Sequence, residues 1–228
     1  MPLKNPKDKE VIIRDEELEK YLKVVKDCLD ANIYEAALIL SQTRLEQLIK
    51  RIIKYKFRLE GVNATAIDEY LSSNTGNIEK LTDAYFKIAY KNTCHDFIIE
   101  NLKNTLEKKY FRGIWANFMN SSKALRNLLI HTGSSGSPSS LVFSTKNNIY
   151  LMDLIIIGFY EYSKINILGD LKKIKGFKKS KYDSIEKYLL SLSDPQSKKK
   201  TPMKNFDFKK LKKDTLEYQK YLKSKNAP

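Results

Sequence analysis

Cysteine and histidine are scarce in this chain of 228 residues, with two of each, and both scarcities exclude chemistry. Cys28 and Cys94 stand far apart, which leaves no disulfide framework and no cysteine pair at zinc spacing. A reducing, cytoplasmic setting is therefore expected. With His95 and His131 the only imidazoles, no metal site is expected. No glycine-rich phosphate loop and no nucleophile elbow occur either, and no cofactor is expected. Long hydrophobic runs are missing as well. The greasiest stretch, Ile149 to Phe159, covers about 11 residues and is interrupted by Asp153, where a bilayer span needs roughly 20. Met1 to Glu10 lacks the apolar core of a signal peptide, so no membrane partner is expected.

Glycine and proline are also sparse over the first 130 residues, and apolar residues there recur at three- and four-residue intervals. That pattern predicts an all-α fold. Helices are expected over about Asp15–Asp30, Asn32–Phe57, Thr65–Leu71, Asn77–Asn92, Asp96–Lys109 and Gly113–His131, the last with a break near Asn120–Ser122. The stretch 132–140, TGSSGSPSS, reads as a loop. A short segment 141–144 follows it, and then a strongly apolar helix over about Asn148–Ile167, buried on more than one side. Weaker helical patterns fall near 184–192 and 206–221. The expected organisation is a flexible N-terminus over 1–14, a helical bundle over 15–167 and a Lys-rich, partly helical C-terminal extension over 168–228.

What is abundant is positive charge. Lys plus Arg number 42 against 27 Asp plus Glu, a net charge of +15. It is unevenly placed, because residues 171–228 hold 18 basic and 6 acidic residues, a net +12. Runs such as Lys198-Lys199-Lys200 and Lys209-Lys210 stand in a segment interleaved with Phe177, Tyr182, Phe206, Phe208, Tyr218 and Tyr221. Such a segment suits nucleic acid, and it also suits an acidic protein partner.

The chemistry-bearing run is Arg126-Asn127-Leu128-Leu129-Ile130-His131, directly before Thr132-Gly133. On a helix, Asn127 and His131 share a face, so the amide can hold the imidazole. Arg126 lies five residues before His131, about 140° around and about 7.5 Å along the axis. The two converge if the last turn unwinds at Thr132-Gly133, or if a second copy of the helix packs against the first and brings two Arg and two His into one cleft. Earlier in the chain, Glu46 interrupts the apolar face formed by Leu38, Ile39, Leu45, Ile52 and Ile53.

The Arg-Asn-x3-His run at the end of a late helix resembles the HEPN superfamily of helical ribonucleases and toxins. YEAALILSQTRLEQLIK, residues 34–50, is similar to the second helix of many HEPN domains, including the Leu45-Glu46 pair. The resemblance covers about residues 15–167. It implies metal-independent RNA cleavage by 2′-OH attack, giving a 2′,3′-cyclic phosphate and a 5′-hydroxyl. It also implies a homodimer with a composite site, and a toxin or phage-defence role with an antitoxin as partner. In that scheme His131 moves protons and Arg126 stabilises the charge on phosphorus. Asn127 orients His131 or touches the phosphate, and Glu46 holds Arg126. Outside the resemblance, the charge of the extension makes Lys198, Lys199, Lys200, Lys209 and Lys210, together with Lys123 of the bundle, the expected RNA-binding residues. Some HEPN toxins carry a Tyr two residues after the His; here that position is Gly133, which puts regulation through it in doubt.

Plainer readings stand beside these. An Arg and a His at a helix C-terminus can serve the last carbonyls and the dipole, and Glu46 can pair with Lys50 one turn on. His95 reads as a cap or surface residue, while Phe111, Trp115, Phe118 and Met119 read as core or interface. Two other functions compete with the nuclease. One is a catalytically silent module binding RNA or a nucleotide, and the other is a helical adaptor recruiting an acidic partner.

Overall fold

In the structure, a computed structural model, residues 16–72, 78–134, 136–165, 167, 177 and 180–192 are described, with 16–20 and 192 as backbone alone. The described residues are helical and contain no strand; an isolated parallel bridge joins Val62 to Tyr182. Helix α1 spans Glu16–Asp30, α2 Tyr34–Leu59 and α3 Ala64–Ser72. Helix α4 runs from Ile78–Lys80 through a π-helical turn, Leu81–Tyr85, into Phe86–Tyr90. Then come α5 (Cys94–Asn101) and α6 (Thr105–Asn117), which passes through a second π-helical turn, Phe118–Ser122, into α7 (Lys123–Thr132). Helix α8 is Pro138–Ser163 and α9 is Ile185–Leu192.

The helix starts follow from side chains that satisfy the first free backbone N–H groups. Thr93 Oγ1 accepts from Asp96 N at 3.1 Å, and Asn104 Oδ1 accepts from Leu106 N at 2.8 Å. Ser137 accepts from Ser140 N, with Pro138 in the first turn, where its missing N–H costs nothing. Two expected boundaries move for this reason. The break placed near residues 110–112 lies at Leu102–Asn104, because Asn104 is a cap, whereas Gly113 is tolerated inside a helix. The loop expected to reach Ser140 ends at Ser137, and the expected 141–144 segment and late apolar helix form one element.

Helix α8 packs along α2 as the bundle's central contact. Leu45, Ile49, Ile52 and Ile53 of α2 share one core with Leu151, Leu154, Ile155 and Phe159 of α8. Each such side chain contributes about 1.5–3 kcal/mol when fully buried. A polar layer crosses this packing. Asn148 Nδ2 donates to Ser41 Oγ at 2.9 Å, Asn147 Nδ2 to Asn117 Oδ1 at 2.9 Å, and Gln42 Nε2 to the Ser122 carbonyl at 2.7 Å. Buried amides with partners fix which helix faces meet, since any other register would leave them unpaired.

The extension expected from residue 168 is in part bundle. Phe177, Ile185 and Tyr188 are buried in the same core, and Tyr188 stands edge-on to Phe57 with ring centroids 5.8 Å apart. Arg58 ties the two regions, donating to the Val62 carbonyl at 2.7 Å, to Ser180 Oγ at 2.9 Å and to the Phe177 carbonyl. Asn63 N donates to the Tyr182 carbonyl at 2.8 Å. The expected N-terminal segment 1–14 and the 206–221 helix lie outside the described residues. No helix among the described residues is long and apolar enough to cross a membrane.

Candidate functional site

The middle of α2, the start of α4 and the π-turn with α7 meet around a cleft of about 190 Å³. It is lined by Gln42, Glu46, Ile78, Glu79, Phe118, Lys123, Arg126 and Asn127. Glu46 is brought there by helix periodicity, because it sits one turn after Gln42 on α2 and turns away from the apolar stripe of Leu45, Ile49 and Ile52. It is half-buried, and burial raises its carboxyl pKa above the ordinary glutamate value, while the Arg126 guanidinium and then Lys50 pull it back down. The pairing with Lys50 expected one turn on is therefore the lesser of its two charge contacts.

Arg126 is partly buried, and its Nε is shielded from solvent with no hydrogen-bond partner among the described residues. Its Nη1 reaches Asn127 Oδ1 at 3.4 Å, at the long end of the hydrogen-bond range. The contact that Asn127 makes here is thus with the guanidinium, where the sequence suggested the imidazole. Lys123 forms an ion pair with Glu79 across the cleft. The cleft accordingly holds two cations and two carboxylates.

His131 does not line this cleft. It is exposed on the last turn of α7, and that turn is intact: Thr132 Oγ1 donates to the Leu128 carbonyl at 2.7 Å and Gly133 N to the Leu129 carbonyl at 3.1 Å. Gly133 closes the helix with φ +65°, a conformation that glycine adopts without a Cβ penalty. Unwinding at Thr132-Gly133 therefore does not bring His131 to Arg126, and within one chain they keep the helical offset of about 140° and about 7.5 Å. No residue of α7 is fully buried. Leu128 is 45% and Ile130 46% exposed, and on α8 Phe143 is 57% exposed, so this end of the molecule presents apolar side chains to solvent.

The remaining sequence candidates divide clearly. Lys123 is at the cleft, whereas Lys198, Lys199, Lys200, Lys209 and Lys210 lie outside the described residues. His95 bonds through Nδ1 to Asp96 Oδ1 at 2.8 Å at the start of α5 and lies beside the Phe111 and Trp115 rings. It is part of a cap. Phe111 and Phe118 are buried, and Trp115 and Met119 pack against the same core. Among the described residues no group of His, Cys, Asp and Glu is arranged to hold a metal ion. Sequence reasoning missed Gln42 and Glu79. Gln42 had a signal, being four residues before Glu46 on one face; Glu79 reaches the cleft only through the packing of α4.

Compared with protein-family models, with curated proteins and with solved structures, the chain matches none.

Proposed function

We propose that the protein is a metal-independent endoribonuclease of HEPN type, in which the cleft around Arg126 binds the scissile phosphate of RNA. The observation that carries this reading is the convergence of Glu46 and Arg126. Two residues singled out by different sequence signals share one small cleft, where the Arg126 charge acts on the Glu46 carboxyl. A phosphate oxygen is the ligand a guanidinium at a cleft fits, and one already oriented by Glu46 and Asn127 stabilises added negative charge on phosphorus without reorganising. The His131 imidazole takes the proton of the attacking 2′-OH or supplies one to the leaving 5′-oxygen.

In this account one chain is insufficient, because His131 points away from its own cleft. Two chains related by a two-fold axis, with their α7 helices and the exposed Leu128, Ile130 and Phe143 in contact, place the histidine of one copy near the arginine of the other. Such an enzyme harms the cell that makes it, which fits a toxin or phage-defence role with an antitoxin as partner. The basic stretch that follows Leu192 adds phosphate contacts. Incubating the purified protein with total RNA, with and without EDTA, and mapping the ends tests the reading. Cleavage that persists in chelator and leaves 2′,3′-cyclic phosphate and 5′-hydroxyl ends is expected. Binding without cleavage supports the silent RNA-binding module instead.

A further inference from the structure

Phe118 and Arg126 both line the cleft although they are eight residues apart in a continuous helical path. On an uninterrupted α-helix, eight steps of 100° leave two residues about 80° apart around the axis. The intervening turn, Phe118–Ser122, is π-helical, and the Lys123 N–H bonds to the Phe118 carbonyl five residues back. A π-turn takes up one more residue than an α-turn, so the positions beyond it are set back by one step. Arg126 then stands within about 20° of Phe118, with Lys123 about 40° and Asn127 about 80° away on the same side. Without the extra residue, Leu125 would take the place of Arg126.

The π-turn is held from outside. Gln42 is buried at 4% exposure and donates through Nε2 to the Ser122 carbonyl, the last of the turn, at 2.7 Å. It does so from α2, one turn before Glu46. On the opposite wall, Ile78 and Glu79 lie on the short helical stretch Ile78–Lys80 that leads into the other π-helical turn, Leu81–Tyr85. An isolated π-turn is less stable than the α-helix it replaces and persists where surrounding contacts hold it.

We propose that the Phe118–Ser122 π-turn is a register device locked by Gln42, which makes Gln42 a positioning residue for Arg126. This rests on the reading of the cleft as the RNA site for its importance, while the geometry stands without it. In Gln42→Met, which keeps the side-chain shape and loses the donor, the turn relaxes toward α-helix, and Lys123, Arg126 and Asn127 rotate out of the cleft by about 100°.

The decisive experiment combines Gln42→Met with deletion of Asn120, an exposed residue of the turn. Deleting one residue removes the need for the π-turn and leaves Arg126 in line with Phe118 on a plain α-helix. The expected result is that Gln42→Met weakens binding of a short single-stranded RNA tenfold or more in the full-length chain and has no effect in the deletion background. An equal loss in both backgrounds would show that Gln42 touches the RNA itself and overturn the proposal, as would no loss in either. A second readout needs neither RNA nor the deletion. The Glu46 carboxyl, followed by NMR in the folded full-length chain, should titrate at higher pH in Gln42→Met, because the Arg126 charge has left while Lys50 remains. An unchanged Glu46 titration overturns the register device even if the protein proves to bind no RNA.

Discussion

Glu46 and Arg126, on helices far apart in sequence, meet in one cleft, and the guanidinium lowers a carboxyl pKa that burial has raised. The carboxylate supplies an orienting charge, and the arginine makes the half-buried carboxylate tolerable. This mutual dependence gives the site its pH behaviour.

Because desolvation is the largest influence on Glu46, its pKa is higher in the folded chain than in the unfolded one. Between those two values the folded state binds more protons, so this group's contribution to stability is present at low pH and declines as pH rises through the window above the ordinary glutamate value. Thermal melting of Glu46→Gln across that window should show a flatter pH dependence than the parent. An unchanged slope would mean that Glu46 ionises as a solvent-exposed residue does.

The exposed Leu128 and Ile130 are expected to be interface residues. Changing Leu128 to Glu should leave melting within about 0.5 kcal/mol of the parent, as for other exposed positions, yet shift the protein to monomer in light scattering and remove cleavage. A monomer that still cleaves RNA would contradict the two-chain site.

Removing the basic stretch requires care about where to cut. Truncation after Leu192 keeps Ile185 and Tyr188 in the core and should preserve the melting temperature, whereas truncation at 168 removes core side chains and should destabilise the bundle. The shorter deletion should weaken RNA binding and flatten its salt dependence by roughly 0.7 in slope for each phosphate that the stretch neutralises. The cleavage rate at saturating RNA should be nearly unchanged.

Gly61 has φ +84°, and a Cβ there would lie 2.9 Å from Lys181 Cβ. Gly61→Ala should cost about 1–3 kcal/mol from the backbone conformation alone, with the clash in addition. It should also release residues 180–192, which a protease will detect as faster cleavage there than in α2 or α8.

The all-α fold was legible in the sequence because helical periodicity and the rarity of glycine act locally, and the apolar stripe of α2 marked Glu46 as an inward exception. The cap at Asn104 was harder to see, since asparagine is common in loops and Gly113 offered a stronger but misleading stop. The π-turns were not legible. The sequence places a break at Asn120–Ser122, where the second π-turn lies, but composition does not distinguish an interruption from a widened turn, and that difference decides which of Leu125 and Arg126 faces the cleft. Glu79 was invisible because nothing local tells where α4 will pack. The docking of Ile185 and Tyr188 was hidden by the surrounding lysines, whose charge made the whole segment look solvated.

The central claim, a site that needs Arg126 of one chain and His131 of another, is tested most directly by complementation. Arg126→Ala and His131→Ala should each lower RNA cleavage by on the order of 10² to 10⁴ while staying folded. Unfolded together and refolded as a mixture, they form some dimers in which an intact arginine meets an intact histidine across the two-fold axis. The account predicts that the mixture cleaves RNA in the presence of EDTA far faster than either variant alone. A mixture that forms dimers but cleaves no faster than the separate variants would contradict it.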